Sequence, residues 1–156
     1  MSKSMKRVER ALATAGLAIE ILEMAAETRT AQQAADAAGC IPDQIAKSII
    51  FRGEKSGHVV LFITAGGNRV SVERASAVAG QPLGKADADQ IRTETGFAIG
   101  GVAPVGHVTP VASFFDPRLL DFERIFAAAG TPRHIFAIAP ADLLKLTGAQ
   151  LAEFTE

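Results

Sequence analysis

The sequence predicts an α+β fold in a single domain, with helices packed around a mixed sheet. Segments with helical spacing and β-branched runs of strand length both occur, but helices do not regularly separate the strands, as they would in a doubly wound parallel sheet. The 156 residues have the length of one ordinary domain, and they contain no repeat, linker or low-complexity tract. We therefore expect one domain over residues 1–156.

The N-terminal third predicts two helices. Apolar residues at helical spacing predict a helix from Ser4 to Ala15 that Gly16 ends. The segment 17–24, LAIEILEM, alternates imperfectly and is typical of either a strand or a continuing helix. Thr30 has a glutamine three residues later, which is capping-box spacing, and Gly39 marks the end of that second helix.

The middle of the chain predicts a hairpin and two helices. A β-branched run begins at Ile45 and ends at Gly53, and a second run covers His58–Thr64. The turn residues GEKSG between them predict antiparallel neighbours. A short helix capped by its first residue is expected over Ser71–Ala79, and Asp87, with a glutamine at capping-box spacing, opens another helix to about residue 95.

The C-terminal third predicts three more strands and a last helix. VTPVASFFD is typical of a strand that Asp116-Pro117 stops. ERIFAAAG and HIFAIAP flank the turn sequence GTPR, so they predict a strand pair. Pro140 suits the first position of a helix, and Gly148 follows its end.

Composition limits the classes of function. The net charge is −1 with 21% charged residues and 48% hydrophobic residues, which excludes a disordered chain and argues against a globally basic nucleic-acid binder. The apolar runs are far shorter than the ~20 residues of a membrane span, and charged residues follow the basic N-terminus where a signal peptide would need an apolar segment. We expect a cytoplasmic protein with neither membrane nor DNA as a partner.

The usual catalytic and metal-binding motifs are missing from the sequence. It contains no GxSxG, HExxH, GxGxxG or GxxxxGK[ST] pattern. The three histidines lie far apart, so neither a metal nor a cofactor is expected. The single cysteine, Cys40, is either a nucleophile or a half-buried thiol near a helix end.

The segment TGFAIGGVAPVGHVTP, residues 95–110, is the first candidate site. Gly100 and Gly101 let a ligand approach the main chain closely, and Pro104 stiffens the turn. With so few polar side chains, backbone N–H groups are its useful donors, and they would suit a carbonyl or carboxylate oxygen. A tight buried turn is the alternative interpretation.

Lys47 is the second candidate. It lies at the entrance of an apolar strand, and an unpaired buried charge there would be expensive. Three roles remain open at this point: pairing with a core carboxylate, binding phosphate in a cleft, or extending from a strand end toward solvent.

Lys47 in IAKSIIF, followed about fifty residues later by GFAIGGVAPVGH, resembles the YbaK/EbsC family, freestanding relatives of the editing domain inserted in bacterial prolyl-tRNA synthetase. The Gly100-x-x-x-Pro104 spacing is similar to the GxxxP loop of that family. The resemblance extends over nearly the whole chain, through TRTAQQAADAAGC, Asp116-Pro117 and AAAGTPRHIFAIAPADLLKLTG.

The resemblance implies a largely antiparallel sheet and hydrolysis of amino acids wrongly attached to tRNA, most often tRNA(Pro). It places Lys47 near the terminal adenosine and its phosphate. It assigns the aminoacyl group to the main chain of the GxxxP loop, whose shape the proline holds. It requires no protein nucleophile, since water or a ribose hydroxyl assists. The loop residues concerned are Gly100, Gly101, Val102, Ala103 and Pro104.

Four further residues are candidates for substrate contact. Thr28, Arg29 and Thr30 are expected to line the acyl pocket or touch the acceptor stem, with helix capping as the alternative role of Thr30. His107 follows the loop by three residues and is either a substrate contact or a polar residue at the loop exit.

The expected partner is the acceptor end of an aminoacyl-tRNA, delivered by prolyl-tRNA synthetase or an elongation factor. Basic residues concentrate in one third of the chain, where they form either a local tRNA footprint or scattered surface charges; they are Lys47, Arg52, Lys55, Arg69, Arg74 and Lys85. Two other functions remain open: a non-catalytic module that binds an amino acid, nucleotide or tRNA end, and a hydrolase that uses Cys40.

Overall fold

The computed structural model describes residues 2–156. Within them the chain forms five α-helices, two short 3₁₀ helices at Pro42–Gln44 and Pro117–Asp121, and eight strands. The helices are α1 (Lys3–Thr14), α2 (Ala31–Ala38), α3 (Val72–Ala79), α4 (Ala88–Thr95) and α5 (Pro140–Thr147). None of these helices has the length and apolarity that crossing a membrane requires.

All eight strands of residues 2–156 join one sheet. They are β1 (Ile21–Glu23), β2 (Ile45–Gly53), β3 (Val59–Ala65), β4 (Leu83–Lys85), β5 (Ala112–Phe115), β6 (Ile125–Ala128), β7 (His134–Ile138) and β8 (Gln150–Leu151). Their order is β1-β7-β6-β2-β3-β5-β8, and β4 pairs with β2. Four pairings are antiparallel and three are parallel, so the sheet is mixed, as predicted.

The sheet is covered on both faces because successive side chains of a strand point in opposite directions. In β2, Ala46 and Ile50 join the large core cluster that α1, α5 and the glycine-rich loop cover. Ile45 instead packs against α2, and Phe51 joins the phenylalanine cluster beneath α3. The central strands are therefore buried on both sides.

Local signals placed most element ends correctly. The capping box of Thr30 forms in full, and Gly39 ends α2 in the left-handed conformation that glycine adopts without strain. Ser71 caps α3, and α5 runs from Pro140 to the residue before Gly148, as predicted. These signals act within one helical turn, so they are readable from the sequence.

Other expectations need correction. The first helix begins and ends one residue earlier than predicted, with Ser2 as its N-cap. Of the two interpretations of residues 17–24, the strand is confirmed as the short β1. The Asp87 carboxylate does cap α4, but the reciprocal half of the predicted box is absent there. The Gln90 side chain donates to the Gly57 carbonyl and to the Glu94 carboxylate instead, because α4 packs beside that turn.

One side of β2 has a gap in its pairing. The parallel pairing with β6 covers Ile45 and Ala46 only, and the antiparallel pairing with β4 starts at Phe51. Residues 47–50 thus have β3 on one side and, in the part of the chain that the structure describes, no partner strand on the other. A large cavity opens at this gap.

Candidate functional site

The cavity has a volume of about 780 Å³, which lies within the range of small-molecule sites. Strand β2 lines it from Ile45 to Ile50. The strands on either side of the gap contribute Ala127 and Lys85, and the start of α2 and the glycine-rich loop complete the wall. Most of this surface is apolar, so a few polar groups determine what the cavity can bind.

Lys47 is one of those polar groups. Its half-buried side chain lines the cavity, and Nζ donates hydrogen bonds to the carbonyl oxygens of Asn68 (2.6 Å) and Gly66 (3.3 Å). Of the alternatives that the sequence left open, a core carboxylate is not the hydrogen-bond partner. An ammonium group has three donors, so one N–H of Lys47 is left for a ligand.

Two carboxylates fix the loop at residues 66–68, whose carbonyl oxygens accept hydrogen bonds from Lys47. The buried Asp116 side chain accepts from Ala65 N (3.0 Å) and from Asn68 Nδ2 (2.9 Å) through one oxygen. Asp43 accepts from Gly67 N at 2.9 Å. The two carboxylates therefore fix the carbonyl groups that orient the ammonium.

The electrostatic surroundings of Lys47 act in both directions. Burial lowers the pKa of Lys47 below its ordinary value, and the positive charge of Arg69 lowers it further, while Asp116 and Asp43 oppose the shift. Lys47 and Arg69 also share the lining of a neighbouring depression of about 390 Å³. Lys47 and Arg69 thus place two positive charges in one region, while the carboxylates of Asp43 and Asp116 are bonded to other groups. This arrangement favours binding of an anion such as phosphate.

The GxxxP loop divides between two surfaces. Gly100 and Val102 line the cavity, whereas Ala103 and Pro104 are buried away from it. The N–H of Gly101 is taken by the carbonyl of Ala98 at 3.1 Å. Among the five predicted loop residues, the structure therefore brings only Gly100 and Val102 to the cavity surface.

Gly101 shapes the loop through packing. A Cβ at this position would lie 2.8 Å from Thr131 Cα and 2.9 Å from Thr131 C, which are backbone atoms that a side-chain rotation cannot move. Gly100 has φ +96°, a value that disfavours any other residue. Close backbone approach and positive φ are thus the two reasons for consecutive glycines here.

The segment before α2 forms another wall of the cavity. Thr28, Arg29 and Thr30 all line it. The Thr28 hydroxyl donates to the Pro132 carbonyl at 3.1 Å, and the Thr30 hydroxyl caps α2, so both have structural bonds. Arg29 is mostly exposed, and its Nε pairs with the Glu27 carboxylate at 3.0 Å. Because an exposed ion pair of this kind is weak, the guanidinium can leave it and move toward a ligand.

His107 lies outside this cavity. With Pro104 it lines a separate depression of about 390 Å³ beside α1. Its Nε2 lies 2.8 Å from the Ala103 carbonyl oxygen, so this nitrogen carries the proton and donates. Burial lowers the pKa of His107 below its ordinary value, although the bond to Ala103 opposes the shift. The structure thus joins His107 to the loop but not to the other candidates.

Cys40 follows α2 and does not line the cavity. Its side chain is half-buried and packs against the cluster beneath α2. Burial raises the pKa of the thiol, with Arg124 opposing. A nucleophilic cysteine needs the opposite shift, so this environment is that of a structural thiol.

The cavity lining carries three cations and, in the described chain, no carboxylate. The cations are Arg29, Lys47 and Lys85. Of the six basic residues that the sequence grouped together, Lys47 and Lys85 lie at this cavity and Arg69 in the adjoining depression, while Arg74 bonds to the Thr155 carbonyl. No cluster of metal-ligating side chains occurs within residues 2–156.

Ser48 is the polar residue that sequence reasoning missed. It lines the cavity, and its hydroxyl oxygen is buried with no hydrogen-bond partner in the described residues. Nothing in the sequence distinguishes it from any serine of a strand. Only the long-range pairing of β2 with β4 and β6 shows that it lies in a gap.

Comparisons with known proteins agree on the fold and the chemistry. The aminoacyl-tRNA editing domain family matches residues 25–146. The chain is 28% identical over 124 residues to the uncharacterized protein YwhH of Bacillus subtilis, covering 80% of this chain and 78% of YwhH. It is 25% identical over 126 residues to EbsC of Enterococcus faecalis, a proposed Cys-tRNA(Pro)/Cys-tRNA(Cys) deacylase, covering 81% and 77%.

A solved structure of a proposed trans-editing enzyme for prolyl tRNA synthetase is also similar. It is 46% identical, with a TM-score of 0.92, and the match covers 100% of this chain and 99% of that one. The two chains therefore share one fold over their whole length.

Proposed function

The chain belongs to the aminoacyl-tRNA editing domain family and is an aminoacyl-tRNA deacylase, and from this premise we propose that it cleaves tRNA(Pro) charged with a small non-cognate amino acid. The choice of tRNA is supported by two relatives, one named for Cys-tRNA(Pro) and one for prolyl tRNA synthetase. The observation that carries the proposal is a largely apolar cavity with three cations at its surface.

Lys47 binds the phosphate or ribose of the terminal adenosine. Two of its ammonium protons are fixed by loop carbonyls, so the third has a defined direction. A pre-oriented cation loses little conformational freedom on binding, and the apolar surroundings strengthen its attraction for an anion.

The glycine-rich loop holds the ester. Val102 is on the cavity surface, and no acceptor in residues 2–156 takes its N–H. A fixed N–H directed at the developing oxyanion stabilises it without reorganisation. Gly101, Ala103 and Pro104 act indirectly by fixing the loop, and His107 supports its exit through Ala103.

The cavity lining formed by residues 2–156 offers no protein nucleophile with a base beside it. Water or a hydroxyl of the terminal ribose is therefore the attacking group. An aminoacyl ester is already activated, so positioning and electrostatic stabilisation are sufficient to catalyse its hydrolysis. Arg29, Thr28 and Thr30 contact the substrate from the wall before α2.

The tRNA is delivered by a carrier such as prolyl-tRNA synthetase or an elongation factor. The net charge of −1 gives little general attraction for nucleic acid, and the cations at the cavity form only a small footprint. Affinity for free tRNA is accordingly expected to be weak and to fall as salt rises.

The test is deacylation of tRNA(Pro) charged separately with alanine, cysteine, serine, threonine and 2-aminobutyrate. We expect hydrolysis of at least one ester and a loss of about 10²-fold or more in Lys47→Ala. Lys145→Ala removes an exposed lysine of α5 and should retain wild-type rates. Failure of the wild type to cleave any of the five esters above background would contradict the proposal, as would full activity in Lys47→Ala.

A further inference from the structure

The gap in the sheet beside β2 exposes strand backbone to the cavity. Pairing with β6 ends where Ala46 lies opposite Ala127, and pairing with β4 begins where Phe51 lies opposite Lys85. Between them, residues 47–50 face the cavity along one whole side of the strand. An unpaired strand edge is a row of donors and acceptors ready to bind another extended segment.

The hydrogen-bond alternation of the hairpin shows which residue points into the gap. In an antiparallel pair, alternate residues direct both backbone groups toward the partner. The N–H of Gly53 donates to the His58 carbonyl at 2.9 Å, so the odd-numbered residues of β2 face β3. The even-numbered residues face the other way, as Arg52 does opposite Gly84. The N–H and C=O of Ser48 therefore point into the gap. The backbone of Ile50 points to the same side, directly before the pairing with β4 begins.

Among the described residues, Ser48 thus presents three polar groups without protein partners. Its backbone N–H and C=O face the gap, and its Oγ is buried and unpaired in the described residues. Buried polar groups are nearly always hydrogen-bonded, and an exception in a native structure needs an explanation. A ligand that completes these bonds in the working enzyme is such an explanation.

We propose that the aminoacyl group of the substrate binds beside Ser48 as a one-residue extension of the sheet. Its α-amino group donates to the Ser48 carbonyl oxygen, and its own carbonyl oxygen accepts from the Ser48 N–H. An amino acid esterified to ribose carries this donor and acceptor in the order of a strand residue. Extended peptides bind exposed sheet edges through the same pair of main-chain hydrogen bonds, and here only one residue would add to the edge. The inference rests on the proposed function and specifies how its substrate is held.

The charges around the cavity support a carbonyl as the receptor for the amine. In the described lining there is no carboxylate that could pair with an ammonium group, while Arg29, Lys47 and Lys85 are all cationic. Nearby positive charge disfavours the protonated form of an amine. A neutral amine still donates to a carbonyl oxygen, and the unpaired edge supplies one at Ser48.

The same geometry directs the acyl side chain. Residues paired across two strands place their side chains on the same face of the sheet. The side chain of the bound amino acid therefore lies beside the Ser48 hydroxyl, on the face where Ala46, Ile50 and Val102 pack. That region is bounded by residues already in the core, so it favours small side chains, and it lies next to the loop that holds the ester.

The experiment measures binding and turnover separately. The ligands are two stable amides of 3′-amino-3′-deoxyadenosine, one carrying L-alanine and one carrying propionate, which lacks the amine. Calorimetry with the wild type should give a dissociation constant at least about 10-fold higher for the propionyl amide, because the Ser48 carbonyl then lacks its donor. Equal affinity for the two amides would overturn the inference.

Variants of Ser48 test the N–H. Ser48→Pro removes a donor that the β2–β3 ladder does not use, so the hairpin should form, while the alanyl amide binds at least about 10-fold more weakly and alanyl-tRNA is cleaved about 10²-fold more slowly. Ser48→Ala keeps the backbone N–H and C=O and removes only the hydroxyl, so its loss of binding and of activity should be clearly smaller than that of Ser48→Pro. Wild-type binding by Ser48→Pro, or an equal loss in Ser48→Ala, would overturn the assignment to the main chain.

Glu23→Pro is the matched control. It removes an outward-facing N–H from the edge strand β1, since Met24 N bonds to Arg133 O and its neighbour faces away. It should fold, bind and react as the wild type does. If Ser48→Pro does not fold, the two amides still decide the question on the wild type. Absence of hydrolysis of all five tRNA(Pro) esters by the wild type would instead count against the proposed function.

Discussion

Replacing Gly101 with alanine tests whether close contact with the Thr131 backbone determines the conformation of the glycine-rich loop. The new Cβ would lie 2.8 Å from Thr131 Cα, 2.9 Å from Thr131 C and 3.0 Å from Thr131 N. Ordinary contacts of carbon atoms lie near 3.5–4.0 Å, so the loop or the turn after β6 must move by several tenths of an ångström. Overpacking of this kind destabilises a protein by about 1–3 kcal/mol.

The assay is thermal unfolding together with deacylation. At roughly 2–4 °C per kcal/mol for a chain of this size, the melting temperature of Gly101→Ala should fall by about 2–12 °C. The displacement moves Gly100 and Val102 at the cavity wall, so kcat should fall as well. Gly84→Ala is the control, because its Cβ would meet only the carboxylate end of the exposed Glu54 side chain. A melting temperature and kcat unchanged in Gly101→Ala would refute the packing argument.

Three further variants have defined outcomes. In Asp116, one carboxylate oxygen accepts from Ala65 N and Asn68 Nδ2, and the other accepts from Arg118 N. Asp116→Asn has only one oxygen and cannot keep both sets of bonds. In urea unfolding its free energy of unfolding should fall by about 1–3 kcal/mol, and some of the activity that depends on Lys47 should be lost. Burial lowers the folded-state pKa of His107. The contribution of His107 to stability is therefore present above about pH 6.5, its ordinary pKa, and is lost as the pH falls toward the folded-state pKa. Between pH 7.5 and 5, the unfolding free energy of His107→Gln should fall by less than that of the wild type. Cys40→Ala should retain full deacylation, and iodoacetamide should not inactivate the wild type; inactivation would favour a nucleophilic thiol.

The elements of the fold were predictable where their causes are local. A cap, a left-handed glycine or a proline at a first turn acts within a few residues, as Thr30, Gly39 and Pro140 show. The hairpin of β2 and β3 was predictable for the same reason, because its two runs are joined by five turn residues. Strands β4 and β8 were missed, since two or three residues carry no usable periodicity.

The candidate site was predictable as a pair of segments that meet at one cavity, but not as a surface. Lys47 and the Gly100–Pro104 loop carry patterns that the sequence displays, and both reach the same cavity. Which loop residues face that cavity depends on the contact between Gly101 and Thr131, thirty residues later. The position of Ser48 in a gap depends on β6, whose pairing with β2 spans some eighty residues. Neither contact has a local signal.

The support of Lys47 has a consequence for its charge. A carboxylate bonded directly to Nζ would keep the lysine protonated but would neutralise much of its attraction for a phosphate. Here Asp116 and Asp43 bond instead to the backbone and side chain of the loop at 66–68, and that loop presents carbonyl oxygens to the ammonium. The carboxylates still oppose the lowering of the pKa of Lys47 by burial. An ammonium group held in this way is oriented by the loop carbonyls, while one of its donors remains available to a ligand.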